Sequence, residues 1–377
     1  MEENKPKETE KRPNESLLAW LLVFFLIFEV ILVTVVLVRS FRDAKAPVTE
    51  PPTEETTEKK EEETEPKPSI PVFAGGALAT KPAVTEHTQT PEGLSSKHAV
   101  LVNAQTGEIL ASAEGDVRFA PASMTKVMTL IVACEQLSQD DLNRRIPYTQ
   151  EIFDYTSSGH YKGTEPLLGG GVGNYTKYLG DEFRIEDLLY GIGVASSAEC
   201  TYMICRDVSG SEEAFVALMN QKVQEMGLTE THFDNAIGYE SANNYTTASD
   251  MAAIMTYALQ CDLIRNILSQ KTIYTYRAYY KENGVEKSYG RQFNATLGDR
   301  LSTYQTTFGS AFSCTGVTLQ GGKTGYLKEN GVVNNCLVAW AASKTDGALY
   351  VVVLGCNEST SAYTMKDVKA LLDTYVP

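Results

Sequence analysis

The chain has 377 residues, with 48 Asp and Glu against 33 Lys and Arg for a net charge of −15; this leaves room for two or three domains and shows no basic stripe that would suggest a nucleic acid partner. Its seven cysteines (134, 200, 205, 261, 314, 336 and 356) include no Cys-x-x-Cys pair and, being odd in number, cannot all be bridged internally. The four histidines (87, 98, 160 and 232) lack ligand spacing, so neither a metal site nor a histidine-dependent triad is supported.

Residues 1–16 form a short segment of mixed charge. Residues 17–38 follow as eighteen Leu, Ile, Phe and Val interrupted only by Ala19, Trp20, Glu29 and Thr34, which is the length needed to cross a bilayer. Their insertion energy, roughly −5 to −11 kcal/mol, outweighs about +3 kcal/mol for one ionisable group at mid-span. The run is too long for an ordinary signal-peptide core, which favours an uncleaved anchor over cleavage near Ala44 and Ala46. Basic residues flank it almost equally, so charge alone does not orient it. Residues 39–96, rich in Pro, Thr and Glu, read as a disordered acidic linker that spans roughly 40 Å on average and carries much of the net charge.

The folded domain is expected over 97–377. "KHAVLVNAQTGEILASAEGD" alternates on both arms of a turn at 103–107 and reads as two strands. In "PASMTKVMTLIVACEQL", Pro121 suits a helix start, and Val127, Met128, Ile131 and Cys134 recur at buried-face spacing. Ser123 and Lys126, the chain's only Ser-x-x-Lys, therefore share a face about one turn apart, a nucleophile beside a base. Taken singly, such a pair also fits a serine near a helix cap and a lysine reaching to solvent. The polar segment 156–181 with "GGGVGN" has no assigned role. Residues 184–228 read as consecutive helices broken at Ser196 and Ser197, and Asn283-Gly284 marks a hairpin whose "YTYRAYY" arm is taken as plain sheet. "LQGGKTGYL", "NNCLVAWAAS" and "ALYVVVLGC" read as strands, and "TMKDVKALLDTYVP" as a closing helix. On a strand, Lys323 and Gly325 share one side with Thr324 on the other; the lysine and hydroxyl suit a carboxylate, and Gly325 would let a ligand backbone approach.

In these residues the sequence resembles the penicillin-binding D-alanyl-D-alanine carboxypeptidases. The blocks that carry the resemblance are "VLVNAQTGEILASAEGDVRFAPASMTK", "EDLLYGIGVASSAE" with "VSGSEEAFVALMN", "GLTETHFDNAIGYESANNYTTASDMA" and "GGKTGYLKENG". Ser-x-x-Lys, Ser-x-Asn and Lys-Thr-Gly are active-site elements of that superfamily. The resemblance implies an α/β, β-lactamase/transpeptidase-like fold, with an antiparallel sheet formed from both ends of the domain, flanking helices and a helical subdomain. It makes Ser123 the acylated nucleophile, Lys126 its proton acceptor and Ser196 a proton shuttle. Lys323 and Thr324 would hold the substrate carboxylate, Gly325 would line the site, and the backbone N–H groups of Ser123 and Tyr326 would form the oxyanion hole. No metal or organic cofactor is needed. The family's usual further β-domain is expected to be absent, since the chain ends soon after the closing helix.

One position departs from the pattern: Ser196-Ser197-Ala198 stands where the family has Ser-x-Asn, and Glu199 follows where an Asp is usual. Losing the amide that meets the lysine would cost about 1.5 to 3 kcal/mol, one to two decades in rate, unless another group substitutes. The expected function is a single-pass membrane D,D-carboxypeptidase with its catalytic domain outside the cell, acting on peptidoglycan stem peptides and covalently inhibited by β-lactams. The alternatives are a wall-binding or sensing module that has lost turnover through Ala198 and, less favoured, a β-lactamase, whose deacylating Glu would follow its Ser-Asp-Asn element whereas Glu165 precedes Ser196.

Overall fold

The structure, a computed structural model, describes residues 82–157, 178–329 and 332–377. In chain order its elements are β1 (Ala83–Gln89), β2 (Ser96–Asn103), β3 (Glu108–Ala113), α1 (Lys126–Gln136), β4 (Arg145–Pro147), α2 (Gln150–Ser157), β5 (Glu182–Arg184), α3 (Ile185–Tyr190), α4 (Ala198–Ser209) and α5 (Glu212–Glu225). There follow α6 (Ala248–Ala258), α7 (Asp262–Leu268), β6 (Tyr274–Glu282), β7 (Val285–Phe293), α8 (Thr296–Phe308), β8 (Val317–Glu329), β9 (Val332–Ser343), β10 (Leu349–Asn357) and α9 (Ser361–Tyr375).

Six strands form one sheet in the order β1-β3-β2-β10-β9-β8, which leaves β8 at an edge. Because side chains alternate along a strand, each central strand feeds two cores. Val100 and Val102 of β2, Val338 of β9 and Val351 and Val353 of β10 face the larger core with α1 and α3 to α7. Leu101, Leu337, Val352 and Leu354 face the other, closed by Leu297 and Tyr304 of α8 and by Met365, Val368 and Leu371 of α9. Burial on both faces explains why β2, β9 and β10 read as nearly continuous apolar runs. The two ends of the domain meet in this sheet, with β2 antiparallel to β10 and Val100 opposite Val353.

Three of the helices start where a side chain accepts one of their first free N–H groups. Ser197 caps α4 through Cys200 N, Ser211 caps α5 through Ala214 N, and Thr247 caps α6 through Asp250 N. The hairpin at Asn283-Gly284 forms as the sequence predicts, but β6 and β7 belong to a separate four-stranded sheet, β4-β5-β6-β7. Phe183, Tyr276, Ala278 and Phe293 are its buried residues, and the Tyr276 ring stacks on Phe293 with centroids 4.2 Å apart.

Two sequence expectations change. The stretch 39–96 is not linker throughout, because residues 83–89 form β1, and Ser96 already belongs to β2. Moreover β1 pairs parallel to β3, so the sheet is not wholly antiparallel. A polar edge strand lacks a buried face and so carries no apolar alternation to betray it; Thr85 Oγ1 donates to Glu108 and Thr88 Oγ1 donates to the Ile109 carbonyl instead. The expected anchor, 17–38, lies outside the described residues, as do Glu165 and most of 156–181. Among the described residues no helix is long and apolar enough to cross a membrane.

Candidate active site

Ser123 lies on a 3₁₀ turn, Ala122–Thr125, opened by Pro121 and running directly into α1. Ala122 just before it has φ +50°, a left-handed conformation that costs a non-glycine residue about 1–2 kcal/mol. Two glycines clamp this turn. A Cβ on Gly238, whose φ is +80°, would fall 1.8 Å from the Ala122 carbonyl oxygen. A Cβ on Gly325 would lie 3.0 Å from the Ala122 Cβ and 3.1 Å from the Pro121 oxygen. Gly325 thus lets β8 close on the nucleophile turn.

Lys126 is fully buried, and its Nζ donates to Ser123 Oγ at 3.2 Å and to the Ile237 carbonyl at 2.6 Å. Burial pulls the amine down to about 7, against the opposing charge of Glu212, so a large neutral fraction is present near pH 7. The Ile237 carbonyl, on the 235–238 loop, is the second partner of the amine. Ala198 is buried and offers no amide. The next residue, Glu199, accepts from the Tyr148 hydroxyl at 2.9 Å.

Ser196 follows a π-helical turn, Gly191–Ala195, and is itself left-handed at φ 60°, which turns its hydroxyl away from the α4 cap formed by Ser197. Its Oγ accepts from Lys323 Nζ at 2.9 Å. Lys323 is fully buried on β8, and burial together with Lys126 and Arg300 holds its amine well below the usual lysine range. Thr324 Oγ1 donates to Thr296 Oγ1 at 2.8 Å, and Arg300 Nη2 donates to the Gly325 carbonyl at 2.6 Å. The Arg300 guanidinium is pulled down to about 10 by burial, and its Nη1 has no partner among the described residues. The charged Arg300 guanidinium and the Lys323 amine, buried beside one strand, give donors that suit an anion.

Five of the seven expected residues are therefore joined in two hydrogen-bonded pairs and the adjoining threonine: Ser123 with Lys126, Ser196 with Lys323, and Thr324. Gly325 supports the nucleophile turn, and the Tyr326 side chain is 56% exposed at the end of the group. Sequence reasoning missed Thr296, Arg300, Glu212 and the Ile237 carbonyl. Only the first two carried a signal, since residues four apart in "TLGDR" share one face of α8.

A serine whose hydroxyl meets a partly neutral lysine, beside buried donors that suit an anion, is equipped for nucleophilic acyl transfer, the chemistry of a serine hydrolase that uses lysine as its base. More narrowly, the chain belongs to the D-alanyl-D-alanine carboxypeptidases of peptidase family S11, whose family profile matches residues 84–358. It is 31% identical over 192 residues to D-alanyl-D-alanine carboxypeptidase DacF of Bacillus subtilis, covering 51% of this chain and 45% of that protein. To DacA of Haemophilus influenzae it is 27% identical over 269 residues, 71% of this chain and 58% of that protein. The chain spans about half the length of the curated relatives it matches. Among solved structures it is similar to the Streptomyces K15 DD-transpeptidase, with a TM-score of 0.61 at 21% identity over 76% of this chain and 98% of that one. Penicillin-binding protein 5 of Haemophilus influenzae gives 0.55 at 23% identity, covering 75% and 70%. These two likenesses establish a shared mixed α/β fold.

Proposed function

We propose that the chain is a serine D-alanyl-D-alanine carboxypeptidase that removes the terminal D-Ala of peptidoglycan stem peptides. The observation that carries the reading is the Ser123–Lys126 contact at 3.2 Å, with the amine brought to about 7. In this reading neutral Lys126 takes the Ser123 proton as Oγ attacks the penultimate carbonyl. The backbone N–H groups of Ser123 and Tyr326 stabilise the oxyanion. Ser196, hydrogen-bonded to Lys323, relays the proton held by Lys126 to the departing D-Ala amine, which restores the neutral lysine, and water then releases the acyl group from Ser123. Lys323 and Thr324, with Arg300 behind them, hold the terminal carboxylate.

Peptidoglycan lies outside the membrane, so residues 17–38 would span it with 1–16 in the cytoplasm and the catalytic domain outside. The acidic residues before β1 would then tether that domain above the bilayer.

The test is an intact-mass time course with a β-lactam, with the adduct located by peptide mapping, alongside D-Ala release from a stem pentapeptide. A lasting adduct on Ser123, absent in Ser123→Ala, together with released D-Ala supports the carboxypeptidase. Rapid loss of the adduct with consumption of the drug would point to a β-lactamase. No adduct and an unchanged pentapeptide that nonetheless binds would favour the sensing module that Ala198 suggests.

A further inference from the structure

Lys126 is held by a backbone carbonyl, and a carbonyl on a loop is a good fixture only if the loop is held in turn. Side chains from two helices hold it. Thr129, one turn beyond Lys126 on α1, donates to the Ala236 carbonyl at 2.6 Å, and Glu212, at the start of α5, accepts from Ala236 N at 3.1 Å. Within the loop, Asn235 Oδ1 accepts from Gly238 N at 2.8 Å. The second oxygen of Glu212 accepts from the Tyr155 hydroxyl at 2.9 Å, so the carboxylate is itself fixed. Glu212 is also the acid whose charge acts on the buried amine of Lys126.

We propose that Glu212 is a positioning residue for Lys126: it holds the Ala236–Ile237 backbone against the amine and sets a negative charge near it. The inference rests on the reading of Lys126 as the base. The charged and titratable groups around the pair are few. Lys126 faces Glu212 from α5 and Lys323 from β8. Glu212 faces Lys126, Tyr155 from α2, Tyr202 and Cys205 from α4, and its neighbour Glu213. Burial raises the Glu212 carboxyl above the ordinary range, while the bonds from Ala236 and Tyr155 and the charge of Lys126 draw it back.

The experiment compares the full chain in detergent with Glu212→Gln and Glu212→Ala. One readout is the second-order acylation rate with a chromogenic β-lactam from pH 5 to 9. The other is the Lys126 titration by NMR on protein labelled with 13Cε-lysine, which needs no turnover. Glutamine keeps an acceptor for Ala236 N but drops the charge, so the protonated amine loses support. Both the acidic limb of the rate profile and the Lys126 midpoint should move to lower pH by about half a unit or more, with the plateau rate within about threefold of wild type. Alanine drops the acceptor as well, and the plateau should fall roughly tenfold or more.

Profiles and midpoints that coincide with wild type in both variants, whatever the change in melting temperature, would mean that Glu212 is merely structural and would overturn the proposal. If Ser123 of the wild type is not acylated, the carboxypeptidase reading fails, and the NMR midpoint alone decides this one: a downward shift in Glu212→Gln sustains it and an unmoved midpoint overturns it. Should the alanine variant not fold, the isosteric glutamine variant decides.

Discussion

At the scale of single residues, the site depends on placing groups where they are individually unfavourable. Ala122 is left-handed and two lysines are buried, each a cost that the surrounding packing sustains. Gly238→Ala should therefore be among the most damaging single-methyl changes available. It asks for φ +80° of an alanine and drives a Cβ into the Ala122 carbonyl, at an expected cost of about 3 kcal/mol or more and with loss of acylation. Chemical denaturation checks this, and a loss under about 1 kcal/mol would show that the turn can move aside. The lysine makes a pH prediction. Acylation should rise about tenfold per unit below pH 7 and level off above it, because only the neutral amine accepts a proton. Stability carries the same signature. The folded-state value, about 7, lies below the ordinary 10.5, so between those pH values the folded chain binds fewer protons at Lys126 than the unfolded one, and stability rises with pH across that window. Lys126→Met should flatten that rise; an equal increase of stability with pH in the two proteins, from denaturation at several pH values, would contradict the assignment.

At the scale of elements, β8 is the organising piece. It is an edge strand, the 3₁₀ turn packs closely on its Gly325, and Arg300 of α8 donates to the carbonyl of the same residue. Helix α1, the two strands after residue 96, the hairpin and the three late strands were all legible, since each has a period or turn signal strong enough to stand without context. The edge strand β1 was not, because its residues are mostly exposed and read like the Thr- and Glu-rich chain before it. Removing the chain up to residue 90 should cost the rest of the domain only about 1 kcal/mol and leave β-lactam acylation unchanged. Thermal denaturation and the acylation rate measure both, and a loss of about 3 kcal/mol or more would show that β1 does more than cover an edge.

At the scale of the whole domain, the two ends of the folded chain are tied by one carboxylate. The buried Asp367 of α9 accepts from Ser95 N at 3.0 Å, Ser96 N at 2.8 Å, Ser96 Oγ at 2.7 Å and Asn357 Nδ2 at 3.4 Å, joining the start of β2, the end of β10 and the last helix. Asp367→Ala leaves several buried donors unpaired and should destabilise the fold by about 3 kcal/mol or more, measured by urea titration. By contrast with the catalytic variants, it should leave the pH profile of acylation in place wherever the protein remains folded. The sequence by itself determined the α/β class, the order of most elements, and the pairing of Ser123 with Lys126, because periodicity and three-residue spacing on a helical turn are local facts; Ser196 and Lys323 were placed in the same site only through the family resemblance. Only the tertiary structure decided what holds them. Ile237 reaches Lys126 across 111 positions and Ser196 reaches Lys323 across 127. Every residue type carries a backbone carbonyl, so the one that holds Lys126 leaves no mark in the sequence until the chain has folded around it.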